Sequence, residues 1–339
     1  MTNFQEDRMN RARITGTGMY VPENVVTNFD LEKLMDTSDE WIRERAGIIE
    51  RRFVDSEIGV AGLAHEAAKI ALQNAKLEPT DIELIIFATL SAEYQFPGSG
   101  VLLQEKLGLP GVPALDVRNQ CTGFIYGLSV ADQFIKTGMY KRIMVVGAEI
   151  HSTGLDMTSR GRDLAVLFGD GAGVAIVEPS NDPDCGILST HLHADGRFAK
   201  ELYAENPGGL HIPRLTHEMI DEGSIYPIMN GRQVFKHAVV KFCQAIEECI
   251  KANNVSPDQV KLVIPHQANQ RITEAVANRF GYSMDRVFSN IHKYGNTTAA
   301  SIPIAIHESL TEGKFKQGDY VVLVAFGSGF TWGSVLLRW

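Results

Sequence analysis

Residues 67–91 read AAKIALQNAKLEPTDIELIIFATLS, and residues 242–268 read FCQAIEECIKANNVSPDQVKLVIPHQA. Each stretch predicts a helix, a polar turn with a proline, and a buried strand that ends in polar side chains. Aligning Ile82 with Val260 places the two stretches 178 positions apart. The similarity continues over about sixty residues, so we predict two copies of one α/β unit, each of roughly 170 residues.

Five segments predict strands that are buried on both faces. Each is a run of consecutive apolar residues rather than the alternating pattern of a half-buried strand. The segments are ELIIFAT (83–89), RIMVVGA (142–148), LAVLFG (164–169), KLVIPH (261–266) and YVVLVAF (320–326). Helices must cover both faces of such sheets, which indicates layered α/β units. We predict a boundary in the turn-rich segment 178–186, giving halves 1–178 and 179–339.

Cys121 lies where a predicted strand is followed by a predicted helix. The strand is ALDV at 114–117, and apolar residues recur at helical spacing from Thr122 to Lys136 before Gly138 ends the pattern. Free N–H groups at a helix N-terminus favour a thiolate over a thiol, as a cysteine nucleophile requires. Because a lone cysteine is more often a small buried apolar residue, its assignment depends on the rest of the sequence.

Three segments of the second half carry polar residues or glycines where strands and turns end. His266 ends the strand of KLVIPHQANQRI, Asn296 lies in YGNTTAASIP, and residues 327–329 follow the strand of VVLVAFGSGFTWG. Each is ordinary by itself. Together with Cys121 they provide a thiol, a base or donor, an amide donor and a loop with exposed N–H groups. This set indicates acyl transfer through a covalent thioester.

The 339-residue chain has an ordinary globular composition, with 44% hydrophobic and 22% charged residues. Its net charge of −9 argues against a nucleic-acid partner. No apolar run approaches the roughly 18 residues of a spanning helix, and the N-terminal MTNFQEDRMNRAR lacks the apolar core of a signal peptide. We therefore expect a cytoplasmic protein without a membrane segment. Its four cysteines show no CxxC pair, which we interpret as reduced thiols.

These segments together resemble the β-ketoacyl-acyl carrier protein synthase III family of thiolase-fold condensing enzymes. The resemblance extends from TSDEWIRERAGIIERR (37–52) to AFGSGFTWG (325–333), and PHQAN, GNTTAAS and GSGFTWG after a nucleophilic Cys are its most specific part. It implies a thiolase-like fold, with two similar α/β halves packed as αβαβα layers. It also implies decarboxylative Claisen condensation of an acyl-CoA with malonyl-acyl carrier protein. Coenzyme A thioester would be a substrate, with no permanently bound cofactor and no metal.

The resemblance gives five residues a part in the chemistry. Cys121 would carry the acyl group, while His266 and Asn296 would hold the thioester carbonyl of the malonyl group. The backbone N–H groups of Cys121 and Ser328 would form a second oxyanion hole, and Phe326 would shield the site from water. Ser328 departs from the glycine that is usual in the family, but the backbone donor is retained.

Further positions match the family's binding surfaces. The residues that match the lining of the coenzyme A tunnel are Thr37, Trp41, Arg45, Arg162, Gly231 and Asn269. Of these, Trp41 and Arg162 would hold the adenine between them. Lys236 and Arg271 match basic residues that dock the acidic carrier protein. Asn278 stands where a lysine is common, so we expect a weaker or shifted docking patch.

The acyl pocket departs from the family pattern. Leu90 stands where a small Thr is frequent at the bottom of the pocket, and Thr122 follows Cys121 where Ala or Ser is usual. Phe96 matches the pocket residue that is contributed across the dimer, which implies a homodimer. The longer insertion 206–227 would cover the tunnel mouth. The identity of the acyl chain is therefore left open.

Two other functions stay open on the sequence. One keeps the scaffold but changes the reaction to head-to-head, non-decarboxylative condensation of acyl-CoAs, or to acyl transfer to oxygen in a secondary pathway. Head-to-head condensation typically uses a Glu from the partner's pocket loop, where this chain has Gln95, with Glu93 two residues away. The other is a catalytically silent scaffold that binds a carrier protein. An intact Cys121, His266 and Asn296 disfavour it.

Overall fold

The structure is a computed structural model that describes residues 11–55 and 57–339. The N-terminal segment discussed above lies, up to residue 10, outside the described residues. The strands are β1 (Ala12–Tyr20), β2 (Val25–Thr27), β3 (Glu50–Arg52), β4 (Leu84–Ala88), β5 (Ala114–Val117), β6 (Ile143–Glu149), β7 (Gly171–Pro179), β8 (Gly186–Ala194), β9 (Leu202–Tyr203), β10 (Ile228–Met229), β11 (Val260–Pro265), β12 (Tyr320–Gly327) and β13 (Thr331–Arg338).

The α-helices are α1 (Asn28–Glu32), α2 (Asp39–Ala46), α3 (Val60–Ala75), α4 (Ser99–Lys106), α5 (Gly123–Thr137), α6 (Arg162–Ala165), α7 (His217–Asp221), α8 (Gly231–Ala252), α9 (Gln270–Phe280), α10 (Ile291–Tyr294) and α11 (Ser301–Thr311). Short 3-10 helices span Pro79–Asp81, Gln120–Thr122, Ser152–Gly154, Gly196–Glu201, Pro257–Gln259, Met284–Arg286 and Thr298–Ala300. Within the described residues, none of the helices is both long and apolar enough to cross a membrane.

The two main sheets share one plan. The first has the strand order β1-β7-β6-β4-β5, and the second has the order β8-β13-β12-β11. In the first sheet β4 and β6 are parallel, while β7 is antiparallel to both β6 and β1. In the second sheet β11 and β12 are parallel, while β13 is antiparallel to both β12 and β8. Within the described residues, the second sheet has no strand equivalent to β5. In that place Val287 forms a single bridge with Val263 of β11.

Two short turns of the backbone are related by the same offset of 178 residues as the two halves of the sequence. The 3-10 helix Gln120–Thr122 leads into α5, and the 3-10 helix Thr298–Ala300 leads into α11. Each begins with a non-glycine residue at positive φ, Gln120 at 45° and Thr298 at 48°. The two turns therefore have the same unusual geometry in front of equivalent helices.

Helices α5 and α11 form the middle layer between the sheets. Phe124 and Leu128 of α5 and Ile306 of α11 share one core with Ile86 of the first sheet and Leu323 of the second. The outer face of the first sheet packs against α3, and the outer face of the second packs against α8 and α9. The layer order is thus αβαβα, and the thiolase-like fold implied by the motifs is confirmed.

The prediction of a strand at LAVLFG was wrong. Helix α6 ends at Ala165, and Phe168 makes only an isolated bridge, with Asn296. A short apolar run does not distinguish a buried strand from other buried backbone, and these side chains line a cavity instead. The strand of this region is β7, whose sequence GAGVAIVEP begins with small residues. Gly173 is required there because a Cβ would lie 2.7 Å from the backbone nitrogen of Ile304 in α11.

The boundary between the halves stays a prediction. Strand β7 of the first sheet ends at Pro179, and strand β8 of the second sheet begins at Gly186. We therefore propose that the connection between these two strands joins the two units.

Candidate active site

A cavity of about 470 Å³ opens where β11 and β12 end and where the chain leads from β5 into α5. The buried part of its lining contains Cys121, His266 and Asn296. Its more exposed part contains Trp41 and Arg45. The fold therefore brings together three side chains that are far apart in the sequence, in one cavity.

Cys121 lies in the 3-10 turn before α5 and is 7% exposed. Burial raises the pKa of its thiol to about 12, and the charge of Glu149 adds to this effect. The backbone N–H groups of Cys121 and Ser328 and the hydroxyl of Thr298 act in the opposite direction. Desolvation outweighs these donors, which contradicts the expectation that the helix N-terminus favours a thiolate at Cys121.

Gly327 allows the end of β12 to approach the nucleophile. A Cβ at this position would lie 2.7 Å from the Cβ of Cys121 and 3.2 Å from its Sγ. On the other side, the hydroxyls of Thr122 and Thr331 lie 2.8 Å apart in a buried hydrogen bond. The nucleophile turn is thus fixed against strands of the second sheet.

His266 is buried, with 2% of its surface exposed, and follows directly on β11. Burial lowers the pKa of its imidazole to about 3, and a charge on His151 would lower it further, so the ring is neutral at physiological pH. Its Nδ1 lies 2.6 Å from the hydroxyl of Ser301. Its Nε2 is buried and has no hydrogen-bond partner within the described residues. This atom is therefore available to a ligand in the cavity.

Asn296 presents an amide beside His266. The backbone N–H of Thr298 donates to Oδ1 of Asn296 at 2.9 Å, which fixes the amide so that Nδ2 remains for the cavity. The backbone N–H of Asn296 donates to the carbonyl of Leu167 at 2.8 Å, and its carbonyl accepts from Gly169 at 3.1 Å. Two preoriented polar groups, one imidazole and one amide, thus face the space next to the thiol.

Glu149 is a buried carboxyl group that the sequence reasoning missed. It ends β6, and burial raises its pKa to about 7. Its carboxylate accepts hydrogen bonds from the hydroxyls of Ser91 (2.6 Å) and Thr89 (3.1 Å) and from the N–H of Leu90 (3.2 Å). An acidic residue at the end of the apolar run RIMVVGAE was the available signal. Glu149 fixes the turn after β4 and places a negative charge near Cys121.

The glycine-containing loop completes the site. Phe326 is buried, lines the cavity and packs against Phe330 with 4.7 Å between ring centroids. The backbone N–H of Ser328 hydrogen-bonds to the sulfur of Cys121, and its hydroxyl donates to the carbonyl of Leu202. The replacement of a glycine by Ser328 therefore leaves the backbone donor in place.

Only some of the residues predicted to line the coenzyme A tunnel line the cavity. Trp41, Arg45, Gly231 and Asn269 line the cavity. Arg162 lies outside the lining, but its guanidinium is 5.1 Å from the Trp41 ring centroid. Two groups this close leave no room for an adenine ring between them, so the predicted sandwich requires Arg162 to move. Thr37 is not among the described residues that line the cavity.

The two predicted docking residues are exposed near the cavity. Arg271 lines it, with the guanidinium 5.3 Å from the ring of Phe235, and Lys236 is exposed on α8. Arg279 lies 3.1 Å from the carboxylate of Glu247 and is partly engaged there.

The predicted acyl-pocket residues lie apart from this cavity. Of the described residues, Leu90, Phe96 and the insertion 206–227 are all absent from its lining, although Leu202 and Met229 on either side of the insertion belong to it. Phe96 is 85% exposed in the single chain. The role of the insertion at the tunnel mouth therefore stays a prediction.

Comparisons with known proteins identify relatives along the whole chain. The sequence matches the family model of 3-oxoacyl-[acyl-carrier-protein] synthase III over residues 115–196, and the model of the C-terminal part of this synthase over 250–339. It is 46% identical over 327 residues to the β-ketoacyl-[acyl-carrier-protein] synthase III of Aquifex aeolicus, covering 96% of this chain and 99% of that protein.

Solved structures give the same result. The crystal structure of 3-oxoacyl-[acyl-carrier-protein] synthase III from Aquifex aeolicus VF5 aligns with a TM-score of 0.89 at 46% identity, over 97% of this chain and 100% of that chain. The priming β-ketosynthase of the R1128 polyketide biosynthetic pathway aligns with a TM-score of 0.89 at 26% identity, over 99% and 98% of the two chains. The specialised polyketide enzyme is thus the more distant of the two.

The fold and the relatives define a thiolase-fold condensing enzyme of the acyltransferase class. Within this class, the chain belongs to the β-ketoacyl-acyl carrier protein synthase III family. The resemblance that rested on PHQAN, GNTTAAS and GSGFTWG is confirmed.

The charge of Glu149 predicts a pH-dependent reactivity of Cys121. Glu149→Gln removes this charge and lowers the pKa of the thiol, so iodoacetamide should alkylate Cys121 about threefold to tenfold faster than in the wild type near pH 9. Because burial raises the pKa of Glu149 to about 7, the wild-type carboxyl is protonated below this pH, and the difference should vanish near pH 6.

Mass spectrometry of the peptide that contains Cys121 measures this rate separately from the other three thiols. Glu178→Gln, at the end of β7 and outside the site, is the matched control. Equal rates for the wild type and Glu149→Gln near pH 9 would contradict the effect assigned to this carboxylate.

Proposed function

We propose that the protein transfers an acyl group from acyl-CoA to Cys121 and condenses it with malonyl-acyl carrier protein. The product is a β-ketoacyl-acyl carrier protein, which starts fatty acid synthesis. The observation that carries this proposal is the placement of two polar groups beside a buried thiol in one cavity: Nε2 of His266, which has no hydrogen-bond partner within the described residues, and the amide of Asn296. The 46% identity to a synthase of this name supports it.

In the first half-reaction, the sulfur of Cys121 attacks the carbonyl carbon of the acyl thioester. The carbonyl oxygen becomes an oxyanion, which the backbone N–H groups of Cys121 and Ser328 would stabilise. Both groups point at the sulfur and act to lower the pKa of its thiol. Fixed donors of this kind contribute about 3–4 kcal/mol each to lowering such a barrier. Coenzyme A leaves as a free thiol, and the acyl group stays on the enzyme.

In the second half-reaction, His266 and Asn296 would bind the thioester carbonyl of the malonyl group. Loss of carbon dioxide places negative charge on that oxygen, and neutral donors stabilise the resulting enolate. Donation from Nε2 of His266 requires the tautomer in which Nδ1 accepts from the hydroxyl of Ser301, 2.6 Å away, and this hydroxyl must then turn its proton from the carbonyl of Thr298 to the imidazole. A neutral imidazole suits this role because its burial keeps the pKa near 3.

The enolate carbon then attacks the acyl group on Cys121, forming a carbon–carbon bond and releasing the thiolate of Cys121, which takes up a proton from solvent after the product leaves. Water would protonate the enolate or hydrolyse the acyl-enzyme, so the site must exclude it. The ring of Phe326, held against Phe330, fills the space beside the reacting groups. An apolar wall of this kind also keeps the local dielectric low, which strengthens the hydrogen bonds to the enolate.

The carrier protein would bind at the basic rim of the cavity. Arg271 and Lys236 are exposed there, whereas the chain as a whole carries a net charge of −9. A local positive patch on an acidic protein directs an acidic partner to one place. The carrier's thioester arm would then enter past Trp41 and Arg45, where acyl-CoA also binds.

We further propose a homodimer formed through β5, with the protein acting in the cytoplasm. Strand β5 pairs only with β4 within the described residues, so its other edge is open. Exposed apolar side chains cluster in and near this edge: Tyr94, Phe96, Val101 and Leu115. Open edges with apolar neighbours are sites of strand pairing between chains. All four cysteines are free, which agrees with a reducing compartment.

The alternative of head-to-head condensation is less well supported. Such a reaction would need a carboxylate at the pocket-loop position of Gln95, and Glu93 is two residues away. Glu93 accepts hydrogen bonds from the N–H of Ala61 (2.6 Å) and the hydroxyl of Ser99 (2.6 Å) of its own chain. Its carboxylate is therefore engaged in these structural hydrogen bonds, and Gln95, two residues further along the chain, provides no base.

The division of labour between the two half-reactions is testable. Cys121→Ala should show no acyl adduct by mass spectrometry after incubation with acyl-CoA. His266→Ala and Asn296→Ala should still be acylated, because neither side chain contacts the first oxyanion, but their condensation rate should fall by about 100-fold to 1000-fold. If His266→Ala cannot be acylated at any acyl-CoA concentration, the assigned roles are wrong.

The dimer predicts a mass of twice the 37.4 kDa chain in light scattering of the wild type. Leu115→Arg places a charge in the open edge of β5 and should shift the mass to that of one chain. Val240→Arg, at an equally exposed apolar position on α8, should remain dimeric. A wild type that is monomeric and fully active would contradict the assignment of Phe96 to the acyl pocket.

We predict that the side chain of Leu90 determines which acyl-chain lengths the enzyme prefers. Its N–H is held by Glu149, so a change of side chain should leave the backbone in place. Leu90→Thr enlarges the proposed pocket floor and should change the ratio of kcat/KM between short and longer acyl-CoAs by about tenfold. Decarboxylation of malonyl-acyl carrier protein should be unaltered. If the preference among acyl-CoAs is unchanged in Leu90→Thr, Leu90 does not select the acyl chain, and the insertion 206–227 becomes the candidate.

A further inference from the structure

A second buried histidine, His151, lies outside the lining of the cavity and has no part in the half-reactions described above. It is 8% exposed and comes two residues after β6 ends. Its backbone N–H donates to Oδ1 of Asp170 at 2.7 Å, and Oδ2 of Asp170 accepts from the N–H of Val54 at 2.8 Å. Its ring packs against Phe168 with 4.5 Å between ring centroids. Both the backbone and the ring of His151 are therefore held in place.

The imidazole of His151 contacts Thr298, two residues after Asn296. Its Nε2 lies 2.7 Å from the hydroxyl oxygen of Thr298, in a fully buried hydrogen bond. Thr298 has a φ of 48°, a left-handed conformation that is unfavourable for a β-branched residue. Such a conformation persists only where the surrounding contacts fix it. The hydrogen bond to His151 is one of these contacts, because it anchors the side chain of Thr298.

Thr298 and Phe168, the two residues that the ring of His151 contacts, both hold Asn296. The N–H of Thr298 donates to Oδ1 of Asn296 at 2.9 Å, which orients the amide. Phe168 forms a backbone bridge with Asn296, beside which the N–H of Asn296 donates to the carbonyl of Leu167 at 2.8 Å. The supports of this amide therefore meet at one imidazole.

The donor state of His266 makes the support of Thr298 more important. The single hydroxyl proton of Ser301 is shared by two acceptors, because Oγ lies 2.9 Å from the carbonyl of Thr298 and 2.6 Å from Nδ1 of His266. When this proton turns to Nδ1, the carbonyl of Thr298 loses its hydrogen bond. The hydroxyl of Thr298 is still bonded to His151, which ties the turn to the end of β6 in the first sheet.

We propose that His151 is a positioning residue for decarboxylation, which holds Thr298 and through it the amide of Asn296. It does so while the hydroxyl of Ser301 donates to His266. This inference rests on the proposed binding of the malonyl carbonyl by these two groups. The imidazole of His151 exchanges no proton, since burial keeps it neutral. A donor misplaced by about 1 Å lowers a rate by about 100-fold, so a support outside the cavity affects the reaction without touching the substrate.

His151→Leu tests the support, because it removes the hydrogen bond to Thr298 and leaves an apolar side chain against Phe168. The kcat for decarboxylation of malonyl-acyl carrier protein, measured as release of carbon dioxide without acyl-CoA, should fall by about tenfold to 100-fold. Its KM should stay within about threefold of the wild type, because His151 does not line the cavity. Acyl loading of Cys121 should also stay within about threefold.

His151→Gln retains an amide that can hydrogen-bond to Thr298 and should keep kcat within about fivefold of the wild type. His307→Leu is the matched control, because Nδ1 of His307 lies 3.0 Å from the hydroxyl of Thr17, outside the cavity. Both half-reactions should be unchanged in this control.

Thr298→Val removes the other partner of the hydrogen bond and should show the same loss of decarboxylation, so it serves if His151→Leu does not fold. The variant with both substitutions should be no slower than either one alone.

Decarboxylation at the wild-type rate in His151→Leu, or in Thr298→Val if the first variant does not fold, would overturn the inference. An equal loss in both half-reactions of His151→Leu, a change confined to KM, or no recovery in His151→Gln would do the same. A wild type that releases no carbon dioxide from malonyl-acyl carrier protein would overturn the proposed function instead.

Discussion

The contact between two equivalent turns, Gln120–Thr122 and Thr298–Ala300, is the constraint on which the site depends. Each turn opens a central helix, and each belongs to a different half of the chain. A Cβ at Gly147 would lie 2.2 Å from the carbonyl oxygen of Ala299, and one at Gly123 would lie 3.6 Å from the Cβ of Ala299. The approach therefore requires a glycine at position 147, whereas a Cβ at Gly123 would make an ordinary contact with Ala299. The approach in turn brings Cys121 of one half to the hydroxyl of Thr298 in the other.

Burial at this contact determines the chemistry. Desolvation raises the pKa of the Cys121 thiol and of the Glu149 carboxyl, and lowers those of His151 and His266. Each group is thereby held closer to its neutral form than it would be in water. A site of neutral groups costs less to bury, and its fixed dipoles respond strongly to the charge that develops during reaction.

The sequence allowed the repeat, the layered fold and the residues of the cavity to be predicted, because each leaves a local pattern. Apolar runs, Pro-containing turns and strand-end polar residues are set by the few positions around them. The part of Glu149 could not be predicted, since it comes from contacts with residues distant in the sequence, such as Ser91. The same holds for Cys121, where the helix start was visible but the dominant effect, burial by the second half, was not.

The two sheets differ at one edge, and this difference limits how chains can assemble. In the first sheet β5 leaves an open edge. In the second sheet the corresponding edge of β11 is covered, because the N–H of Phe288 donates to the carbonyl of Val263 at 2.9 Å and the guanidinium of Arg286 donates to the carbonyl of Val260. A chain in which both of these edges were open to strand pairing could add neighbours indefinitely and form fibres. In the proposed dimer, pairing of β5 with β5 about a two-fold axis would use this edge up, so association would close after a single step.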